Sequence, residues 1–469
     1  MSSQAASLSQ TGLPQRQAVE DPQERTAPPH RLPRHPDRFP ALPRGRHAAG
    51  GIGADEVSSI QRGRVCGAMM LCLAEHDFDG VFMSELAEQA KVSLQDLYRR
   101  FKHGKPEVFL CCFEQVAHAS LHRLALAGEH ADPLGRLHAR VLEFVQAVCE
   151  QPVAARVLLV EPFAVGADAI ERMRFHQRRL EQMLAADLRE LGGLPLIARG
   201  IVAGVAHLAR QALMEQRLGE LAEQSAPIAE WACCLAAARA APPPLSPPMA
   251  FCATKLLHQA GRVRENRREW VLAAALTVLE RRGYPLLSER EVRTEAQITC
   301  RELASHFKDE QQIFTAVIEQ LWKSTLRYAE RAGRSGARDW PQLVARTVCE
   351  LTGSFAIDAL LARLACQELP AAGASGLALR ERLTRELAER LRKSAPAEQP
   401  ISAPAAQASI AACWAILSGR INEGRAQHLP AHAPLLSFIA LSPAIGPAAA
   451  AEALAMPAPQ IRTKAGSAR

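Results

Sequence analysis

At 469 residues the chain is too long for one hydrophobic core, and at roughly 100 to 200 residues per domain it should hold two to four. A hydrophobic share of 48% with 22% charged residues is ordinary for a globular protein, while 5% aromatics amid abundant Ala and Leu favour helices over sandwiches or barrels. The net charge of +7 is mild. No apolar run reaches bilayer length and the opening MSSQAASLSQTGLPQRQ lacks a signal peptide's regions, so a cytoplasmic, membrane-free protein is expected. None of the 12 Cys forms a CxxC pair; they sit in apolar helical stretches and read as small core hydrophobes in a reducing compartment.

In chain order, residues 1–54 read as a disordered basic tail, the first 50 carrying 8 Pro, 7 Arg and 4 acids. Helical periodicity then runs to about Arg239, punctuated at Asp132-Pro133, Gln151-Pro152, Gly192 to Pro195 and Ala226-Pro227. Residues 241–263 read as a Pro-rich linker, with APPPLSPPMA at 241–250 its stiffest part. A second helical block follows to about Leu454, broken near Trp340-Pro341, Pro370 to Gly376, Ser394 to Pro404 and Pro430, and 457–469 read as a disordered tail.

Sliding the chain by 206 positions aligns Val65 with Val271, Leu73 with Leu279, Phe78 with Tyr284, Ala90 with Ala296, Val92 with Ile298, Ser93 with Thr299, Leu97 with Leu303 and Phe101 with Phe307. A one-residue slip later pairs Phe109 with Phe314. Matched chemistry at one constant offset predicts a tandem duplication.

The segment 82–101, FMSELAEQAKVSLQDLYRRF, has the grammar of a helix-turn-helix. Leu86 and the small Ala87 face inward, Lys91-Val92-Ser93 makes the turn, Ser93 caps the next helix, and Leu97 points to the core. Leu94, Gln95, Asp96, Tyr98, Arg99 and Arg100 are left on or near an exposed face. Between Lys91 and Lys105 stand five basic residues (Lys91, Arg99, Arg100, Lys102, Lys105) and one acid (Asp96), net +4. The equivalent stretch from Gln297 to Gln311 has Arg301 and Lys308 against Glu302, Asp309 and Glu310, net −1. Phosphate neutralisation supplies most non-specific affinity, so the first copy is the better reader of double-stranded DNA.

With SELAEQAKVS, then LYRRF followed by Lys105, and with PVAARVLLVEPFAVG and PLIARGIVAGVAHLARQAL further on, the sequence resembles the TetR family of bacterial transcriptional regulators. The resemblance covers about 55–240 well and 264–454 more loosely. It implies an all-α fold of two halves, each a helix-turn-helix domain followed by a helical ligand-binding and dimerisation domain: 55–110 and 111–240, then 264–315 (motif 288–307) and 316–456. It implies a ligand-responsive repressor reading operator DNA with helix 94–100, released when an unidentified small-molecule effector shifts the helix starting near Lys105. Tyr98, Lys102 and Lys105 would grip phosphates, while Gln95, Arg99, Asp96 and Leu94 would reach base edges. Lys91 stands where the family usually has Gly, and Lys105 lies one residue further from Phe101 than usual.

In the second copy, Arg293 replaces Ala87, Ala304 replaces Tyr98, and Glu310 and Gln311 stand where the phosphate-binding Lys would be. Thr299, Arg301, Glu302, Ser305 and Lys308 therefore belong either to a second reader or to a structural remnant. Arg262, Arg264, Arg267 and Arg268, like Arg62 with Arg64, offer further backbone contacts. Met173, Phe175, Met183, Leu208 and Met214 either line a ligand pocket or are plain core. His118 and His122 with Glu114 have metal-like spacing, and His130 and His138 follow, but an exposed polar stripe fits better; no metal or cofactor is expected. The pairs Cys111-Cys112 and Cys233-Cys234 read as buried thiols rather than oxidant sensors. No catalytic grouping stands out, so no enzyme is expected. The alternative is a helical ligand-sensing or protein-interaction module with degenerate DNA binding. Assembly is either a homodimer or an intramolecular pseudo-dimer.

Overall fold

A computed structural model describes residues 54–129, 132–236, 251–260, 266–335 and 337–455. The expected terminal tails, the 241–250 stretch, His130, Arg262 and Arg264 lie outside the described residues. The protein is all-α: among the described residues there is no strand, and no helix is long and apolar enough to cross a membrane.

The first half runs through α1 (Ala54–Glu75), α2 (Met83–Ala90), α3 (Leu94–Arg100), α4 (Lys105–Ala127), α5 (Pro133–Glu150), α6 (Pro152–Leu159), α7 (Pro162–Val165), α8 (Ala167–Glu190), α9 (Leu196–Met214), α10 (Leu218–Glu223) and α11 (Ser225–Ala236). After α12 (Ala253–Ala260) the second half runs through α13 (Arg267–Arg282), α14 (Glu289–Ala296), α15 (Cys300–His306), α16 (Glu310–Arg334), α17 (Trp340–Ile357), α18 (Ala359–Arg363), α19 (Gly373–Ser394), α20 (Ala403–Asn422), α21 (Ala433–Ile445) and α22 (Pro447–Ala455). α14 and α15 lie 206 positions after α2 and α3, residue for residue, and short 3-10 turns, Phe78–Gly80 and Tyr284–Leu286, precede them at the same offset. Later elements keep the offset within a few residues: α8 with α19, α9 with α20, α11 with α21.

Local chemistry sets the boundaries. Asp132 caps α5 by accepting from the N–H of Leu134 and Gly135, and Pro133 opens that helix where its missing N–H costs nothing. Asp339 with Pro341 starts α17 in the same way. Pro370 cannot continue a helix, and the chain passes through a π segment, Leu364–Glu368, and a 3-10 turn, Leu369–Ala372, before α19.

Two expectations on organisation change. The stretch 253–260 is a packed helix instead of linker: Ala253, Thr254 and Leu257 are buried, and Asp358 accepts from the Thr254 N–H (2.9 Å) and hydroxyl (3.0 Å). The boundaries at 110/111 and 315/316 fall inside the continuous helices α4 and α16, because each helix buries Phe109 or Phe314 under a helix-turn-helix and its later turns elsewhere.

Three hydrophobic clusters hold the molecule. One lies under α1 to α4 around Leu73, Leu86, Leu97 and Phe109, and one under α13 to α16 around Leu276, Leu303, Phe314 and Leu321. The third belongs to both halves, joining Ile201, Trp231 and Leu235 to Ala412, Ile416 and Phe438. α9 crosses α20 closely there because the crossing is lined by small residues: a Cβ on Gly204 would stand 2.4 Å from the Trp231 ring and 2.8 Å from the Ala408 carbonyl oxygen, and one on Gly200 3.2 Å from the Ala412 Cβ. Polar contacts lock the same face. Trp231 Nε1 donates to Ser409 Oγ (3.0 Å), and Arg210 Nη1 donates to Glu381 Oε1 (2.7 Å) while His207 Nδ1 stands 2.7 Å from Glu381 Oε2. Burial raises the Glu381 carboxyl, but His207 and then Arg210 outweigh it and hold it well below the ordinary value.

Candidate nucleic-acid interface

α2 ends at Lys91, whose φ of 54° is left-handed, and its N–H closes onto the Ala87 and Glu88 carbonyls. That reversal throws the chain into an extended Val92-Ser93, and Ser93 Oγ accepts from the Asp96 N–H at 3.0 Å, starting α3. Leu97 is fully buried, so the rotation of α3 is fixed by one apolar anchor, and Leu94, Gln95, Tyr98, Arg99 and Arg100 fall on the solvent side, with Lys102 just beyond. Tyr98 keeps 50% of its surface and Leu94 42%, far more than a core role would leave.

Two charged residues play other parts than expected. Asp96 is engaged at home: the Ser93 hydroxyl donates to it at 2.8 Å and Arg99 pairs with it, and both, Ser93 foremost, hold its carboxyl below the ordinary value. Lys105 is turned inward, its Nζ donating to the Phe78 carbonyl at 2.8 Å and resting 4.4 Å from the Phe78 ring centre. It staples the start of α4 to the turn after α1, so it does not project as a phosphate grip. Arg64 is buried, while Arg62 remains exposed.

The second segment repeats the backbone with other side chains. Gln297 takes a φ of 54°, and Thr299 and Glu302 form a reciprocal capping box. Arg301, Glu302, Ser305 and Lys308 are exposed, with Ser305 Oγ donating to the Glu302 carbonyl at 2.7 Å. Gln311, at the place of Lys105, donates to the Ala372 carbonyl at 2.6 Å and accepts from Ser375.

Inside the first half, α4, α5, α8 and α9 enclose a strongly apolar cavity of about 830 Å³, part of it open to solvent. Met173 and Met183 line it. Phe175 and Met214 do not: they sit on outward helix faces, 48% and 44% exposed, and Leu208 is packed in the shared core. Sequence periodicity missed Phe113, Leu124 and Phe144, which also line it. Glu114 is taken up by Arg172 and His176, both at 2.8 Å, and His118 Nδ1 lies against the Glu114 carbonyl, so the metal-like spacing serves helix packing. Among the described residues, no group of three or more His, Cys, Asp or Glu is placed to hold a metal. Cys111 Sγ lies 3.6 Å from Cys66 Sγ, and burial pushes the Cys233 thiol up to about 11 and Cys72 to about 12.

No family model matches the sequence, and no curated protein matches it. Similar solved structures include a TetR-like transcriptional regulator from Rhodococcus sp. RHA1, 19% identical, with a TM-score of 0.30 and coverage of 36% of this chain and 93% of its own. Another is the fatty acid degradation regulator FadR from Bacillus halodurans, 16% identical, with a TM-score of 0.34 and coverage of 37% of this chain and 94% of its own.

Proposed function

We propose that the protein is a TetR-like, ligand-responsive transcriptional repressor that reads double-stranded DNA through α3. The observation that carries this reading is the capped, singly anchored α3, whose exposed face holds Gln95, Tyr98, Arg99 and Arg100 in a stretch of net +4. A helix of that kind fits the major groove, with Tyr98 and Lys102 on phosphates and Gln95 and Arg99 on base edges. Arg99 must leave Asp96 to reach a guanine, an exchange of one exposed ion pair for another that costs little.

The reading includes a tandem duplication: the 206-residue offset and the twin left-handed turns at Lys91 and Gln297 support it. It also makes one chain the functional unit, a pseudo-dimer, supported by the faces of α9, α11, α20 and α21 being spent on each other. The apolar cavity is the effector site. α4 supplies Phe109 to the core under α3 and Leu121 and Leu124 to the cavity wall, so an occupant that moves α4 moves the reader.

Gel-shift with the protein's own promoter region tests the reading. Wild type is expected to shift it with sequence preference; equal, weak binding to unrelated DNA at low salt would leave the helical ligand-sensing or protein-interaction module as the better description. Sedimentation checks the assembly: a mass of one chain at micromolar concentration supports the pseudo-dimer, two chains the homodimer.

A further inference from the structure

A second cavity lies between the halves, walled by α8 and α9 on one side and by α19 and α20 on the other, with about 1370 Å³ of space partly open to solvent. Arg174 and Arg380 both line it, and these two residues are 206 positions apart: the same position of the two halves faces one cavity from opposite sides. Arg178, one turn along from Arg174, stands at the same wall.

Arg174 and Arg380 are half-buried, where a guanidinium ordinarily has a carboxylate partner, while Arg178 is exposed with its guanidinium 6.0 Å from the Phe175 ring centre. Among the described residues, no carboxylate forms an ion pair with Arg174, Arg178 or Arg380. The acids nearby are already committed. Glu381, next to Arg380, is held by Arg210 and His207; Glu181 and Glu423, which line the cavity, are both held by Arg199, and Glu423 also by Arg420. Glu171 acts on Arg174 only through space, from an exposed position. Burial, and then the neighbouring Arg210, push the Arg380 guanidinium down to about 10; Glu381 opposes this only in part, and Arg174 adds to the repulsion. Burial and Arg178 likewise lower Arg174. The rest of the wall is mixed: Phe163, Met173, Leu369 and Trp414 supply an apolar part, and Gln177, Ser418 and Asn422 stand beside it.

We propose that this cavity binds an organic anion, a carboxylate or phosphate group carried on an apolar body, with the charged group held between Arg174 and Arg380. Such an occupant neutralises two like charges that the fold brings together and touches both halves at once. A bare phosphate would satisfy the arginines and leave the apolar wall unused; a neutral apolar molecule would do the reverse. The inference goes beyond the regulatory reading and does not depend on it, because binding is measured without DNA.

Isothermal titration of the full chain with octanoate, octyl phosphate, octan-1-ol and inorganic phosphate tests it. One of the two amphiphilic anions is expected to bind at one per chain, at least ten times more tightly than octanol or phosphate, and the tighter of the two identifies the head group. Arg380→Gln and Arg174→Gln should each weaken it at least tenfold, and Arg380→Lys should restore most of the affinity. A half-buried cation with a second guanidinium facing it and no ion-pair partner is a cost, so Arg380→Gln should also raise the melting temperature of the unliganded protein, which loss of a merely structural arginine would lower. Absence of binding by both anions, octanol binding as well as octanoate, or unchanged affinity in both Gln variants would overturn the proposal.

Discussion

The two helix-turn-helix segments are nearly the same object in backbone and different objects in surface. α2 and α14 end in the same left-handed turn, α3 and α15 begin with the same hydroxyl cap, and Leu97 and Leu303 supply the same buried anchor. Around that frame the first segment exposes Tyr98 and Arg99 in a stretch of net +4, and the second exposes Ala304 and Glu302 in one of net −1. Fold depends on the residues that are capped, turned or buried, and these match in kind; the charge and shape offered to a partner depend on the ones left outside, and these do not match.

The largest effect should come from unlocking the halves that carry the two segments. Glu381→Ala leaves Arg210 and His207 buried without their carboxylate and should cost about 3 to 5 kcal/mol in urea unfolding. Because the folded carboxyl lies well below its unfolded value of 4.5, its stabilisation is complete above that value and is lost as pH falls below it. Wild type should therefore lose stability on acidification below about pH 4.5 more steeply than the Ala variant.

Next in size is the asymmetry itself. Tyr98→Ala with Arg99→Ala should weaken promoter binding about 100-fold in gel-shift, the loss expected of one base-reading and one phosphate contact. Arg301→Ala with Ser305→Ala should change it by less than about twofold, since a net-negative helix neutralises few phosphates. A comparable loss in both would make α15 a second reader and end the contrast.

The caps should behave alike. Ser93→Ala and Thr299→Ala should each lower stability by about 1 kcal/mol, read by chemical denaturation, because each leaves N–H groups of a short helix unpaired. Smallest of all, Lys91→Gly and Gln297→Gly should each raise stability by about 0.5 kcal/mol, as relief of the left-handed strain slightly exceeds the entropy lost by glycine. A gain at one site only would show that the twin turns are not under the same strain.

Much of the first helix-turn-helix was legible in the sequence because its determinants are local. Ser93 three residues before Asp96, Leu97 between polar neighbours and the basic run after it all act within one or two helical turns. The misassignments involve distance. Lys105 looks like a free cation until the turn at Phe78 comes within 2.8 Å of its ammonium, 27 residues away in sequence. Phe175 and Met214 look like pocket residues by hydrophobicity, but α8 and α9 point them outward while Phe113 from α4 reaches the cavity instead.

By itself the sequence determined the helical class, the caps and turns, the 206-residue offset between the two helix-turn-helix segments and their uneven charge, since each is a matter of residue type and spacing along the chain. Only the tertiary structure decided which cations are spent internally, that α9 and α20 cross through Gly200 and Gly204, and that Arg174 and Arg380 face one cavity. The physical reason is range: a cap or a turn is settled among neighbours a few residues apart, whereas the cost of burying a charge depends on what the rest of the fold places beside it.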